Sequence, residues 1–395
     1  MVAQKMVTAM DATTLLAIPL FILAGAIMGK GGISKRIIDL SYELFGWIPG
    51  SLGIVCVVSC MFFAALSGSS PATVAAIGGI MVPAMIDDGY PAGFSCSVAA
   101  AGGIIGCIIP PSIPFVNYGL ITGESVGDLF AGGILPGILM GVALCVLVSI
   151  KSKKNGWGTT TKGINLWNLL NAFVRSILAL LMPVIILGGI YGGIFTPTEA
   201  AAVSVVYGLI VGVFIYREVK LGDLYDLLVD SGKTTGGIML IIGGATLFSY
   251  ICTVHGISGA AQQLLLNISG NKYVFLLIVN VIFLIAGCFV DANSAMYIFI
   301  PIMFPVAQQL GIDPIHFGVL STVNLAIGQV TPPVGVNLFV AIGVSDKLKG
   351  IKDTTRVTIE TISKAVWPMI IACVITLMIV TYVPFFSTVF LGAAA

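Results

Sequence analysis

Apolar stretches long enough to cross a membrane recur along almost the whole chain, and several are broken by polar residues or prolines at mid-length. A helix needs about 20 apolar residues to cross roughly 30 Å of hydrocarbon. On that measure full crossings fall near 12–29, 92–121, 127–150, 170–193, 197–216, 236–254, 315–344 and 366–390. Two further stretches, 50–86 and 273–309, are each long enough for two helices but turn polar at their middle. They read as re-entrant hairpins. Only 9% of the 395 residues are charged and 58% are hydrophobic, whereas a soluble domain carries roughly 25% charge. So few charges cannot coat a water-soluble globule of this size. A cytosolic enzyme, a nucleic-acid binder and a disordered chain are thereby excluded. The net charge of +1 supplies no field to attract nucleic acid. The surroundings this composition requires are a lipid bilayer, and the fold class is an all-α polytopic membrane protein.

Basic residues set the orientation. Lys30, Lys35 and Arg36 follow the first crossing; Lys151, Lys153, Lys154 and Lys162 follow the third. Arg217 and Lys220 follow the fifth, and Lys347, Lys349, Lys352 and Arg356 the seventh. If each hairpin returns to its own side, these loops share one face, which is cytoplasmic by the positive-inside rule. The other face receives little beyond Lys5 and Lys272. The first hairpin then enters from the cytoplasm and the second from outside. Segments 34–47, 221–232 and 351–364 mix charged and apolar residues at helical spacing and are expected as helices lying on the cytoplasmic surface.

The chain resembles itself at an offset of about 222 residues. Leu66-Ser67-Gly68-Ser69-Ser70-Pro71-Ala72-Thr73 corresponds to Cys288-Phe289-Val290-Asp291-Ala292-Asn293-Ser294-Ala295. Gly106-Cys107-Ile108-Ile109-Pro110-Pro111 corresponds to Gly328-Gln329-Val330-Thr331-Pro332-Pro333, and Gly32-Ile33-Ser34 to Gly256-Ile257-Ser258. The charge pattern makes the copies inverted, one repeat in 1–169 and one in 170–395. Inverted repeats with discontinuous helices point to a secondary transporter.

Four places carry chemistry. At the first hairpin tip, Ser67, Gly68, Ser69 and Ser70 bring hydroxyls and freed carbonyls to mid-membrane, where backbone must line a cavity or pack in protein. The helix that follows aims its positive N-terminus at the same place, which suits a carboxylate. At the second tip, Asp291, Asn293 and Ser294 include an acid that costs about 2.5–3.5 kcal/mol at the bilayer centre, a cost tolerated beside a cation. The other two places are the breaks at Pro110-Pro111 and Pro332-Pro333. Each deletes N–H donors and frees carbonyls one turn back. Oxygen ligands of this kind suit Na⁺. The candidate Na⁺ ligands are Ser67, Gly68, Ser69, Gly106, Ile109 and Ser112 in one half, and Asp291, Ser294, Gly328, Thr331 and Gly335 in the other. The candidate substrate contacts are Ser69, Ser70, Asn117, Asp291 and Asn293.

Other motifs carry less. Ser231-Gly232-Lys233-Thr234 resembles the end of a P-loop but lacks the first glycine and a preceding strand. His255 and His316 have no neighbouring acid and serine in a triad arrangement. Cys56 and Cys60 have no partner pair that would make a zinc site, and all eight cysteines read as buried thiols. No catalytic residue is assigned. Residues 1–10 do not read as a signal peptide.

Taken together, these motifs resemble the large membrane (DctM-like) subunit of the tripartite ATP-independent periplasmic (TRAP) transporters. The resembling stretches are Ile18-Pro19-Leu20-Phe21-Ile22-Leu23-Ala24-Gly25, Phe63-Ala64-Ala65-Leu66-Ser67-Gly68-Ser69 and Ile108-Ile109-Pro110-Pro111-Ser112-Ile113-Pro114. They continue with Gly193-Ile194-Phe195-Thr196-Pro197-Thr198-Glu199-Ala200-Ala201, Gly311-Ile312-Asp313-Pro314-Ile315-His316-Phe317-Gly318 and Thr331-Pro332-Pro333-Val334-Gly335. The resemblance implies a Na⁺-coupled importer of organic acids (C4-dicarboxylates, other carboxylates, sialic acid) in the bacterial inner membrane. It further implies elevator motion, a small four-helix membrane subunit, separate or fused, and a periplasmic substrate-binding protein. The family normally has a hydrophobic helix before the equivalent of Asp11. Its absence here suggests a fragment of a longer protein. The alternatives are a related carboxylate transporter working without a binding protein, and an ion channel.

Overall fold

The computed structural model describes residues 2–158, 163, 165–268, 270–346 and 357–391. Every regular element among them is helical. A short α1 (Val2–Met10) leads through a 3₁₀ turn, Thr13–Leu16, into α2 (Ala17–Lys30), followed by the amphipathic α3 (Ile33–Phe45). The first hairpin is α4 (Ser51–Ser67) and α5 (Ser70–Asp87). A broken helix follows: α6 (Ala92–Gly103), extended by a 3₁₀ turn to Cys107, and α7 (Ile113–Thr122). Then come α8 (Val126–Asn155), α9 (Leu166–Tyr191), α10 (Pro197–Leu209), which widens into a π-helix at Ile210–Ile215, and α11 (Leu221–Val254). The order then repeats: α12 (Ile257–Ile268), hairpin arms α13 (Lys272–Phe289) and α14 (Ala292–Gln309), and the broken pair α15 (Pro314–Gly328) and α16 (Val336–Asp346). The chain continues with α17 (Ile359–Tyr382) and a last turn, α18 (Phe385–Thr388).

Among the described residues eight helices are long and apolar enough to cross a membrane, two of them the hairpin arms α5 and α13. Their starts coincide with the few polar residues of an apolar chain. Ser125, Asn165, Asn271, Asp313 and Thr358 each accept a backbone N–H at the first turn of a helix. Thr196 and Glu199 form a full capping box at α10. Such caps satisfy N–H groups that lipid cannot. Every residue of α6 is buried, as is α15 from Ile315 onward, so the first half of each broken helix runs through protein rather than along lipid. Around them α5 packs on α16, α14 on α7, and α17 on α6 and α8. A second layer forms where α10 and α11 pack on α2, and α9 on α10 and α3.

Three expectations change. The surface helix 221–232 and the crossing 236–254 are one continuous 34-residue helix, α11. Lys233-Thr234-Thr235 contains no helix breaker, and Lys233 pairs with Asp230 one turn back at 3.3 Å. At 1.5 Å per residue such a helix is about 51 Å long, so its charged end projects past the hydrocarbon. The amphipathic partner of α3 is instead α12, outside all three expected surface segments. Gly32 and Gly256, both left-handed (φ 72° and 70°), precede the two helices, so the matched Gly-Ile-Ser triplets marked the pair. Finally, the expected surface helix 351–364 lies outside the described residues as far as 356, and Ile359 onward already belongs to α17. The last crossing therefore runs 359–382 rather than 366–390, ending where Pro384 stops the helix.

Candidate functional site

The first hairpin turns on two residues. Gly68 closes α4 at φ 63°, and a side chain there would come within 2.9 Å of the Pro111 carbonyl, so the tip is pressed against the break in the first broken helix. The Gly68 carbonyl accepts from Ile113 N at 3.2 Å. Ser69 is extended and precedes α5, with Pro71 in its first turn. The Ser67 and Thr73 hydroxyls are 2.8 Å apart, and Thr73 Oγ1 donates to the Ser69 carbonyl at 2.9 Å. Gly106 leaves room for this group: a Cβ there would lie 2.4 Å from Thr73 Oγ1. Three oxygens thus converge where α5 begins.

The second hairpin turns at Val290 and Asp291. Asp291 caps α14: one carboxylate oxygen accepts Asn293 N at 3.0 Å and Ser294 N at 3.3 Å, and the other accepts the Ser294 hydroxyl. The acid at mid-hairpin therefore has structural partners at a helix end, while still facing the cavity described below. The Gly335 N–H donates to the Cys288 carbonyl at 3.4 Å, so this tip too is tied to the break of its own half. Both Pro-Pro bonds, at 110–111 and 332–333, are cis.

Each break is also tied to the opposite hairpin. Asn117 Nδ2 on α7 donates to Asn293 Oδ1 at 2.8 Å, and Tyr297 donates to Asn117 Oδ1 at 3.2 Å. Asn337 Nδ2 on α16 donates to Ser70 Oγ at 2.5 Å and to the Ala100 carbonyl at 3.2 Å. Two reciprocal Asn links, one from each half to the other, join tips and breaks into one site.

That site borders a cavity of about 1020 Å³. Ser67, Gly68, Ser69, Asp291 and Asn293 of the predicted set line it, together with Cys107, Gln329 and α2 at Gly25 and Gly29. At its other end it meets Lys30 and, on α11, Asp230, Ser231 and Thr234. Lys30 is held by Asp223 at 2.9 Å. The P-loop-like residues 231–234 are thus helical turns of a cavity wall. Ser70, Gly106, Ser112, Asn117, Ser294, Gly328, Thr331 and Gly335 stand outside this lining. Ser70 is fully buried against Asn337. Ser112 caps α7 and donates to the Cys107 carbonyl at 2.5 Å. Thr331 donates back to Ile327 at 2.9 Å. Ile109 turns its side chain toward Gly137 and an outer apolar groove, so only its backbone could face an ion. His316 is buried and bonds Ser387 Oγ and the Thr381 carbonyl, a structural tie between α15 and α17.

Thr73 and Gln329 are among the site's residues that the candidate ligands and substrate contacts named from sequence leave out. Thr73 completes the oxygen cluster; its signal was its position one turn after Ser69. Gln329 lines the cavity at 4% exposure; its signal was its alignment with Cys107 in the repeat.

A family model for the DctM component of tripartite ATP-independent periplasmic transporters matches residues 1–386. The isethionate TRAP transporter permease protein DctMQ of Oleidesulfovibrio alaskensis is 46% identical over 391 residues, which cover 99% of this chain and 60% of that protein. The C4-dicarboxylate TRAP transporter large permease protein DctM of Pseudomonas aeruginosa is 42% identical over 382 residues, covering 97% and 87% of the two chains. The chain thus spans only 60% of the length of the first relative. Among solved structures, the YdaH transporter of Alcanivorax borkumensis matches with a TM-score of 0.63 at 13% identity, over 99% of this chain and 89% of that one; at that identity the likeness speaks for the fold alone. With a match spanning the hairpins, the breaks and the helices between them, this chain belongs to the DctM family, the large permease component of TRAP transporters.

Proposed function

We propose that this chain imports an organic acid through the bacterial inner membrane, driven by a Na⁺ gradient. It receives the acid from a periplasmic binding protein and works beside a small four-helix membrane subunit. The observation that carries this reading is the pair of reciprocal links, Asn117–Asn293 and Asn337–Ser70, which draws four polar interruptions of two halves around one cavity. Na⁺ is cargo here and needs oxygen ligands. The Ser67, Ser69 and Thr73 oxygens lie close enough together to share one small cation. Asn337 Oδ1 is buried without a donor, an acceptor that a cation or water would satisfy. Among the described residues no cluster of His, Cys, Asp and Glu is arranged for a divalent metal. The N-termini of α5 and α14 favour an anion between the tips.

The two halves, 1–169 and 170–395, act as inverted repeats. The hairpins and broken helices, with α8 and α17, move as one body against α2, α9, α10 and α11, with α3 and α12 as surface levers. The basic end, where Lys30 and α11 meet the cavity, is cytoplasmic by the positive-inside rule, so this form is open inward. The names of the relatives support organic-acid cargo.

The test is uptake by the full transporter, with small subunit and binding protein, in proteoliposomes given a panel of organic acids. Saturable uptake under an inward Na⁺ gradient, absent under K⁺, is the expected result. Uptake indifferent to Na⁺ would sink the coupling. A current reversing at the ion's Nernst potential without saturable uptake would favour a channel.

A further inference from the structure

Gln329 occupies the first position after α15, where the second broken helix unwinds. Its backbone is fixed on both sides: Gln329 N donates to the Ala326 carbonyl at 3.1 Å, and its own carbonyl accepts Asn337 N at 3.0 Å. Gln329 lines the cavity at 4% exposure, and its Oε1 is buried and accepts no hydrogen bond from the protein. On one side it meets the Cys107 thiol, the residue that matches it 222 positions earlier. A buried amide oxygen without a donor is costly, and a ligand that supplies one recovers that cost. Two kinds of ligand could do so, a cation or a group carrying a proton. A thiol is a poor partner for a hard cation, so the Cys107–Gln329 pair does not make an ion shell. Carboxylates and sulfonates carry acceptors only and cannot satisfy an amide oxygen; a hydroxyl can. Asn293, which lines the same cavity, has its carbonyl committed to Asn117, which leaves its NH₂ group to offer to an acid.

Building on the organic-acid reading, we propose that Gln329 is a specificity-determining residue and that the cargo is a hydroxylated organic acid. Its hydroxyl donates to Gln329 Oε1, while its anionic end lies toward Asn293 and the hairpin N-termini. A site built around a substrate hydroxyl discriminates against the analogue lacking it, because the protein acceptor is then left unpaired.

The experiment measures the melting temperature of the purified membrane complex in NaCl against matched pairs: malate and succinate, lactate and propionate, 2-hydroxyethanesulfonate and ethanesulfonate. The expected result is that the hydroxylated member of at least one pair binds about tenfold more tightly than its deoxy partner. Gln329→Met, nearly isosteric and without an acceptor oxygen, should abolish that preference. Without ligand the same variant should melt no lower than wild type, and it should keep the Na⁺-dependent rise. Equal binding within every binding pair would mean that the amide presents its NH₂ edge, and would overturn the proposal. So would a preference that survives Gln329→Met. Loss of the Na⁺-dependent rise in Gln329→Met would make the residue an ion ligand instead. If no member of any pair binds the wild type while Na⁺ still does, the organic-acid reading itself fails, and the specificity proposal with it.

Discussion

Asp291 stands between two roles, and one substitution separates them. Its carboxylate caps α14 through Asn293 N, Ser294 N and the Ser294 hydroxyl, yet it also faces the cavity. Asn caps a helix about as well as Asp, so Asp291→Asn keeps the cap and removes only the charge. An unfolding entropy of about 2.1 cal/mol/K per residue amounts to about 0.8 kcal/mol/K over the 395 residues. A cation present at 100 times its Kd stabilises by about 2.7 kcal/mol, which corresponds to a rise of about 3 °C. The assay compares melting in NaCl and KCl at one ionic strength. Wild type should melt about 3 °C higher in NaCl for each Na⁺ site filled, and Asp291→Asn should keep only the share of that rise supplied by the Ser67, Ser69 and Thr73 oxygens. In KCl the Asn variant should match wild type or exceed it, because an uncompensated acid within the membrane is itself unfavourable. Asp291→Ala loses the cap as well, about 1 kcal/mol, and should fall about 1 °C further in both salts. A full Na⁺-dependent rise in Asp291→Asn would refute the reasoning: the acid would then be a helix cap, and Na⁺ would belong to the oxygens of the first hairpin alone.

Three other outcomes follow from the geometry. Asn337→Leu strips Ser70 and the Ala100 carbonyl of a partner in a buried place and should destabilise by about 1–3 kcal/mol, measurable as a lower melting temperature with slower uptake. Gly328→Ala places a Cβ 2.4 Å from the Gly287 Cα; backbone cannot yield as a side chain can, so the variant should lose monodisperse folded protein on size-exclusion chromatography, whereas Gly236→Ala, with open space around it, should not. Arg36→Ala removes the 2.7 Å ion pair with Glu218 and the guanidinium lying 3.6 Å from the Tyr216 ring; the exposed pair is worth little and the ring contact about 0.5–1 kcal/mol, so melting should shift by no more than about 1–2 °C.

Much of this protein was legible in its sequence because lipid permits so few solutions. A chain with this little charge must span a membrane, and backbone in lipid must be helical. The two helix pairs Ser51–Asp87 and Lys272–Gln309 coincide with the apolar stretches that turn polar at mid-length, and the two breaks with the Pro-Pro pairs, since proline withdraws its donor wherever it stands. The charges of 221–232 suggest a separate surface helix, whereas an unbroken helical backbone runs straight through them to Val254. The polar face of α12 is faint beside that of α3, although the Gly256-Ile257-Ser258 match to Gly32-Ile33-Ser34 is visible.

The site divides along the same line. Which residues interrupt the apolar runs is a local property, so Ser67 to Ser70, Asp291 to Ser294 and the two breaks could be named from sequence alone. Which oxygens share a space is a property of packing between segments far apart in the chain. Only the tertiary structure sets Asn337 on Ser70, 267 residues away, and Asn117 on Asn293. It withdraws Ser70 from the cavity and brings Gln329 to its wall. A membrane chain states its interruptions one by one; helix packing decides which of them meet.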